Sequence, residues 1–216
     1  MVRLIKSEIF KLLKKLKSWL GPLLIMILVL IAFPLSIDIS QFDLDKFYFS
    51  IIVVSILMTS FVATEGMFEE DFEDGSLEQE FLLEKDFYKL ALAKIFVFVF
   101  LIGIPLALIG AIFSFANGVA FNSFAKVFLI LSLSNLLLFN VFAFGNALSI
   151  NKGAMLGVLS SLPLALPVII LLGSSIRTIQ YGDGFISIIA LMIGIGLLMS
   201  ALMPLIISAA LKTHID

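Results

Sequence analysis

The chain has 216 residues, 61% hydrophobic and only 14% charged, with 22 Phe and a mean hydropathy of +1.18. Soluble domains run at about 45–50% apolar and about 25% charged residues, so a water-soluble globular domain is excluded. A formal net charge of −2 with a pI near 5.4 argues against a nucleic-acid partner, and a cysteine count of zero removes disulfides, thiolate metal clusters and cysteine nucleophiles.

The first predicted element covers residues 1–17. Val2, Ile5, Ile9, Leu12, Leu13, Leu16 and Trp19 recur at three- and four-residue steps, with lysines around the rest of the circumference. That pattern predicts an amphipathic helix lying along a membrane interface, its apolar face in the acyl boundary and Trp19 at headgroup depth. The apolar run over 18–37 is long and no small-x-small cleavage site follows it, so it reads as a first span rather than a signal peptide. A second span is expected over 47–64. Uncharged stretches from Ile95 to Ala125, Val127 to Asn151, Gly153 to Ile176 and Gly184 to Leu211 each exceed the about 20 residues that cross a bilayer as a helix. They place four more spans at 95–116, 127–149, 154–174 and 185–207. The expected fold is therefore all-α, with six transmembrane helices in one domain over 1–216. Eleven Lys and Arg residues fall on one side of this arrangement, and only Lys46, Lys126 and Arg177 on the other. The positive-inside rule then puts both termini and the connection between spans 2 and 3 in the cytoplasm.

That connection, residues 65–94, carries ten acidic residues against three lysines. Gly75 suits the left-handed end of one helix. Ser76 with Gln79 three residues later reads as a capping box opening a second, with Glu78 at its positive end. Leu77, Phe81, Leu82, Phe87 or Tyr88 and Leu92 form its apolar stripe. Asp71, Glu73, Asp74 and Gly75 do not follow the alternation of a calcium loop, so a solvated charged face and a docking surface for a soluble partner remain the two readings of the cluster.

No Gly-Lys-Ser/Thr phosphate loop occurs, so nucleotide energy would have to come from a separate chain. The charges between Val127 and Leu211 are Lys152, Arg177 and Asp183, all in predicted loops, which argues against an ion-coupled transporter. The single histidine, His214, lies in the tail, so no imidazole is expected within the membrane to ligate haem. Gly153 and Gly157 have the small-xxx-small spacing of closely packed helices. Pro163 and Pro167 should bend the fifth span, and Pro105 the third.

The stretch Asp71-Phe72-Glu73-Asp74-Gly75-Ser76-Leu77-Glu78-Gln79 resembles the signature of the haem exporter protein B (CcmB) family. Phe33-Pro34-Leu35, Leu92-Ala93-Lys94 and Leu162-Pro163-Leu164-Ala165-Leu166-Pro167-Val168 are similar to that family too. The resemblance covers the whole chain. It departs after Gln79, where the family usually continues with leucines and a Ser-Pro pair and this chain reads Glu80-Phe81-Leu82-Leu83-Glu84-Lys85. It departs again at Asn151-Lys152-Gly153, usually richer in arginine. The resemblance implies an ABC-type permease subunit of cytochrome c biogenesis in the inner membrane, not itself an enzyme and with no cofactor of its own. It would couple ATP hydrolysis by the ATPase CcmA to haem delivery or to release of the haem-loaded chaperone CcmE. CcmC and CcmD would be membrane partners, the lipid bilayer its surroundings, and a second permease copy a further partner. On this view Phe72, Glu73, Asp74, Gly75, Ser76, Leu77, Glu78 and Gln79 form a rigid element that an ATPase groove pushes. The alternatives are an ABC-2-like permease exporting a different amphiphile, and a scaffold without energy coupling.

Overall fold

A computed structural model describes residues 1–36, 44–84, 87–150, 152–181 and 184–214. The expected end of the first span at Ile37, together with Lys85, Asp86, Asn151 and Asp183, lies outside the described residues. The described chain is helical: α1 (Val2–Lys14), α2 (Leu16–Ser36), α3 (Leu44–Thr64), α4 (Glu69–Glu73), α5 (Ser76–Glu84), α6 (Tyr88–Phe98), a π-helical turn (Val99–Gly103), α7 (Ile104–Ala116), α8 (Phe121–Ser149), α9 (Ala154–Tyr181) and α10 (Phe185–Lys212). Among the described residues six helical segments are long and apolar enough to cross a membrane: α2, α3 with its continuation into α4, the α6–α7 rod, α8, α9 and α10. Several helices outrun the uncharged stretches that announce them. The rod begins at Tyr88 rather than at residue 95, which places Lys94 inside a helix instead of in a connection.

The bundle is organised around α8, which packs on α9, α10, α7 and α3. Its buried residues include the polar Ser134, Asn135 and Asn140 beside Leu131, Leu137 and Phe139. In lipid such side chains must find partners within the protein. Asn135 Nδ2 donates to the Gly103 carbonyl (2.7 Å), while its Oδ1 accepts from Ser60 Oγ of α3 (3.0 Å). The Gly103 carbonyl stands at the end of the π turn. Pro105, two residues on, has no N–H to give to the carbonyl four residues back, and its ring would crowd that carbonyl in a regular helix. One wide turn relieves the conflict. The bend expected from Pro105 is thus accompanied by a π turn, and one of the carbonyls there is taken by α8.

Close approach elsewhere needs glycine. A Cβ on Gly145 of α8 would stand 2.7 Å from the Gly157 carbonyl of α9, and one on Gly157 would stand 2.8 Å from the Gly145 carbonyl. The small-residue spacing read from Gly153 and Gly157 therefore acts through Gly157 alone, inside this chain. Gly153 precedes α9 with φ +86° and no atom within 4 Å of its Cβ position.

Candidate functional site

The site is built from α1, the α4–α5 segment and the start of α6. Between α4 and α5 the chain turns at Gly75, whose φ of +72° is the left-handed conformation expected of it. The capping acceptor is Asp74 rather than Ser76. Asp74 Oδ1 takes the Ser76 N–H at 2.9 Å. Ser76 is already helical, and its hydroxyl donates back to the Asp71 carbonyl at 3.4 Å. The expected capping box with Gln79 is therefore replaced by an Asx-type cap two residues earlier, because an Asp two residues before an N–H reaches it without competing with the helix. Hydrogen bonding from Ser76 holds the Asp74 carboxyl below its ordinary range.

The eight residues read from sequence as a docking element divide into two sets. Leu77 is fully buried and Phe72 half-buried, with Phe81 further along stacking on the buried Phe87 at 5.0 Å. These hold α5 against the bundle. Glu73, Asp74, Glu78 and Gln79 are exposed, with Gly75 and Ser76 intermediate. Beside them Leu82 and Leu83 are 77% and 62% exposed, an adjacent pair of large apolar side chains at the end of a short polar helix. Leu82, which the sequence places on the apolar stripe of α5, is exposed instead of buried, and Leu83 lies off that stripe. The α3–α4 turn is held by α8, where Asn146 Oδ1 accepts the N–H of the fully buried Phe68 at 2.9 Å.

Behind this face lies a buried network of charges. On α1 the buried stripe is Leu4, Glu8 and Leu12, one residue per turn, and it faces α6. Phe10, Val2 and Leu13 remain exposed. The basic helix thus turns one face to protein, and that face carries a carboxylate where the sequence reading saw only lysines and apolar residues. Lys94 Nζ lies 3.2 Å from Glu8 Oε2 and 2.6 Å from Asp71 Oδ2, and it donates to the Met67 carbonyl at 2.9 Å. Lys11 Nζ closes the figure, at 3.3 Å from Glu8 Oε1 and 3.2 Å from Asp71 Oδ1. The four charges sum to zero and alternate around a ring. Lys94, Glu8 and Asp71 are 4–6% exposed, while Lys11 sits at the rim. Burial works against the charge on Lys11, and the Glu8 and Asp71 carboxylates outweigh it, so its pKa is raised. Lys15 pairs with Glu70 further out. A cleft of about 410 Å³ opens onto the ring between α1, α2 and α4, lined also by Pro22, Glu65 and Glu69. Among the described residues no group of three or more His, Cys, Asp or Glu side chains could hold a metal ion.

The signals for this network were present but dispersed. Glu8 is the sole acid before Asp38, and Lys94 interrupts the apolar Leu90–Phe100 run. Nothing in the linear order says that they meet.

Six apolar helices, with α8 among them carrying buried polar side chains, and a short helical segment anchored at one end of the bundle define a polytopic membrane protein of the permease class. A family model described as CcmB protein matches residues 1–214. Heme exporter protein B of Haemophilus influenzae is 31% identical over 221 residues, covering 100% of this chain and 98% of the relative. The Pseudomonas aeruginosa protein of the same name is 29% identical over 200 residues, covering 90% and 88%. That of Escherichia coli K12 is 36% identical over 89 residues, covering 41% and 40%. The chain belongs to the CcmB family, permease subunits of the ABC system of cytochrome c maturation.

Proposed function

We propose that this permease takes its energy from the separate ATPase subunit CcmA, which docks on the α4–α5 segment, and that it delivers the resulting displacement to the membrane partners CcmC and CcmD and to release of the haem-loaded chaperone CcmE. On this reading it lies in the inner membrane with both termini and α4–α5 on the cytoplasmic side, an orientation that the eleven-to-three distribution of Lys and Arg supports. The observation that carries the docking reading is the contrast within α5: Leu77 is sealed into the bundle while Leu82 and Leu83 project next to Glu78 and Gln79. Exposed large apolar residues ringed by polar ones are the usual signature of a protein contact. A helix held at one side and free at the other transmits a push instead of absorbing it.

The test is co-purification of the ATPase with Leu82→Glu/Leu83→Glu and, separately, with Glu73→Lys/Glu78→Lys. These residues are exposed, so the permease itself should fold. Reduced ATPase recovery and reduced holo-cytochrome c in both pairs is the expected result. Wild-type recovery in both would remove α4–α5 as the docking surface.

A further inference from the structure

The ring of Glu8, Lys94, Asp71 and Lys11 is not part of the exposed docking face, and bundle stability gives no reason for it. A buried ion pair in place of apolar packing is commonly neutral or worse, because desolvating the charges offsets their attraction. Its geometry is unusually determined. An ammonium has three donors, and Lys94 directs them at three acceptors on three segments: Glu8 of α1, Asp71 of α4 and the Met67 carbonyl in the α3–α4 turn. Each carboxylate in turn offers one oxygen to Lys94 and the other to Lys11. Residues far apart in the chain are thus joined with no free donor on Lys94 about which the joint could swivel.

We propose that Glu8, Lys94 and Asp71 are positioning residues that fasten the N-terminal helix and the α6–α7 rod to α4, so that a displacement of α4–α5 moves all three as one body. The path is continuous. Ser76 Oγ at the head of α5 donates to the Asp71 carbonyl, Asp71 holds Lys94 on α6, and Lys94 holds Glu8 on α1. Beyond Lys94 the rod passes through the π turn, whose Gly103 carbonyl is bonded to α8. The turn is the natural place for the rod to yield when its end is moved. The N-terminal helix is then a moving part of the coupling device as well as a membrane-surface helix. This inference rests on α4–α5 being the docking surface.

The absence of cysteine from this chain allows it to be labelled at chosen positions before the complex is assembled. Spin labels at the exposed positions Ser7→Cys on α1 and Glu69→Cys on α4 report the joint by their separation, with and without a non-hydrolysable ATP analogue. With Lys94 in place the separation should be narrow and the same in both states. With Lys94→Met it should broaden and change on nucleotide binding, while the ATPase still co-purifies and holo-cytochrome c falls by about tenfold, a typical size for coupling between sites. Lys94→Arg keeps the charge and should restore most of the yield. If Lys94→Met does not fold, Glu8→Gln, which removes one charge from the ring, serves in its place. A locked separation with normal maturation in the variant overturns the proposal. So does assembly lost in parallel with maturation in Glu8→Gln, which makes the ring a structural contact only. Failure of the docking reading would be seen separately, as undiminished ATPase recovery in Leu82→Glu/Leu83→Glu.

Discussion

Asp74 rather than Ser76 supplies the capping acceptor of α5, and the choice has measurable consequences. Asp74→Ala removes the acceptor for the Ser76 N–H and should cost about 1 kcal/mol, as a lost helix cap does. Ser76→Ala loses only a long hydroxyl bond and should cost much less; urea unfolding in detergent distinguishes the two. The cap also has a pH signature. Because the folded-state pKa of Asp74 lies below its ordinary value, its contribution is present at neutral pH, above the unfolded-state value, and is lost as pH falls through the folded-state one. Its exposure keeps the effect small. The glycines give a second graded pair. Gly145→Ala drives a methyl toward the Gly157 carbonyl and should destabilise the α8–α9 contact, whereas Gly194→Ala meets nothing within 4 Å and should be neutral or stabilising by up to about 1 kcal/mol. Thermal unfolding of the two purified variants orders them. At this scale the left-handed turn at Gly75 was legible in the sequence because only glycine occupies it without strain. The capping partner was not, since Asp74 and Ser76 are both competent and only the local path selects between them.

Among the elements, α8 shows how a membrane helix uses polar residues. Asn135 serves Ser60 and the Gly103 carbonyl together. In Asn135→Leu the Ser60 hydroxyl can turn to a carbonyl one helical turn back, as Ser55, Ser114 and Ser134 do here. The expected cost is therefore that of two lost polar contacts between helices, about 0.6 kcal/mol each. Comparing Asn135→Leu with Ser60→Ala in the same unfolding assay checks this, the second being the smaller. The helices were legible as elements because each uncharged run is longer than any loop would sustain. Their ends were not, because a helix continues past the last apolar residue as long as its polar residues have partners, as Lys94 does in α6.

For the whole molecule, the distribution of charge predicts that a reporter fused after Asp216 is active only if it functions in the cytoplasm, and one inserted near Gly118 only if it functions outside. The opposite pattern at either site would remove the proposed orientation. His214, the only imidazole, belongs to the C-terminal end beyond α10. His214→Ala should leave holo-cytochrome c accumulation at the wild-type level, and the purified subunit should show no bis-axial low-spin haem spectrum.

The membrane class follows from the chain's composition, and the number and order of spans from where its apolar runs fall. Burying an unbonded backbone in hydrocarbon is so costly that twenty apolar residues have essentially one structure available. The Asp71–Gln79 stretch was likewise readable as a distinct segment, because its acidic residues and helix-ending glycine interrupt the apolar pattern on either side. Only the tertiary structure decided which of these residues face outward and which hold the segment in place. It also decided that Glu8, Asp71 and Lys94 share one buried ring. Attraction between charges depends on distance in space and on the loss of surrounding water, and neither quantity is written in the separation of residues 8, 71 and 94 along the chain.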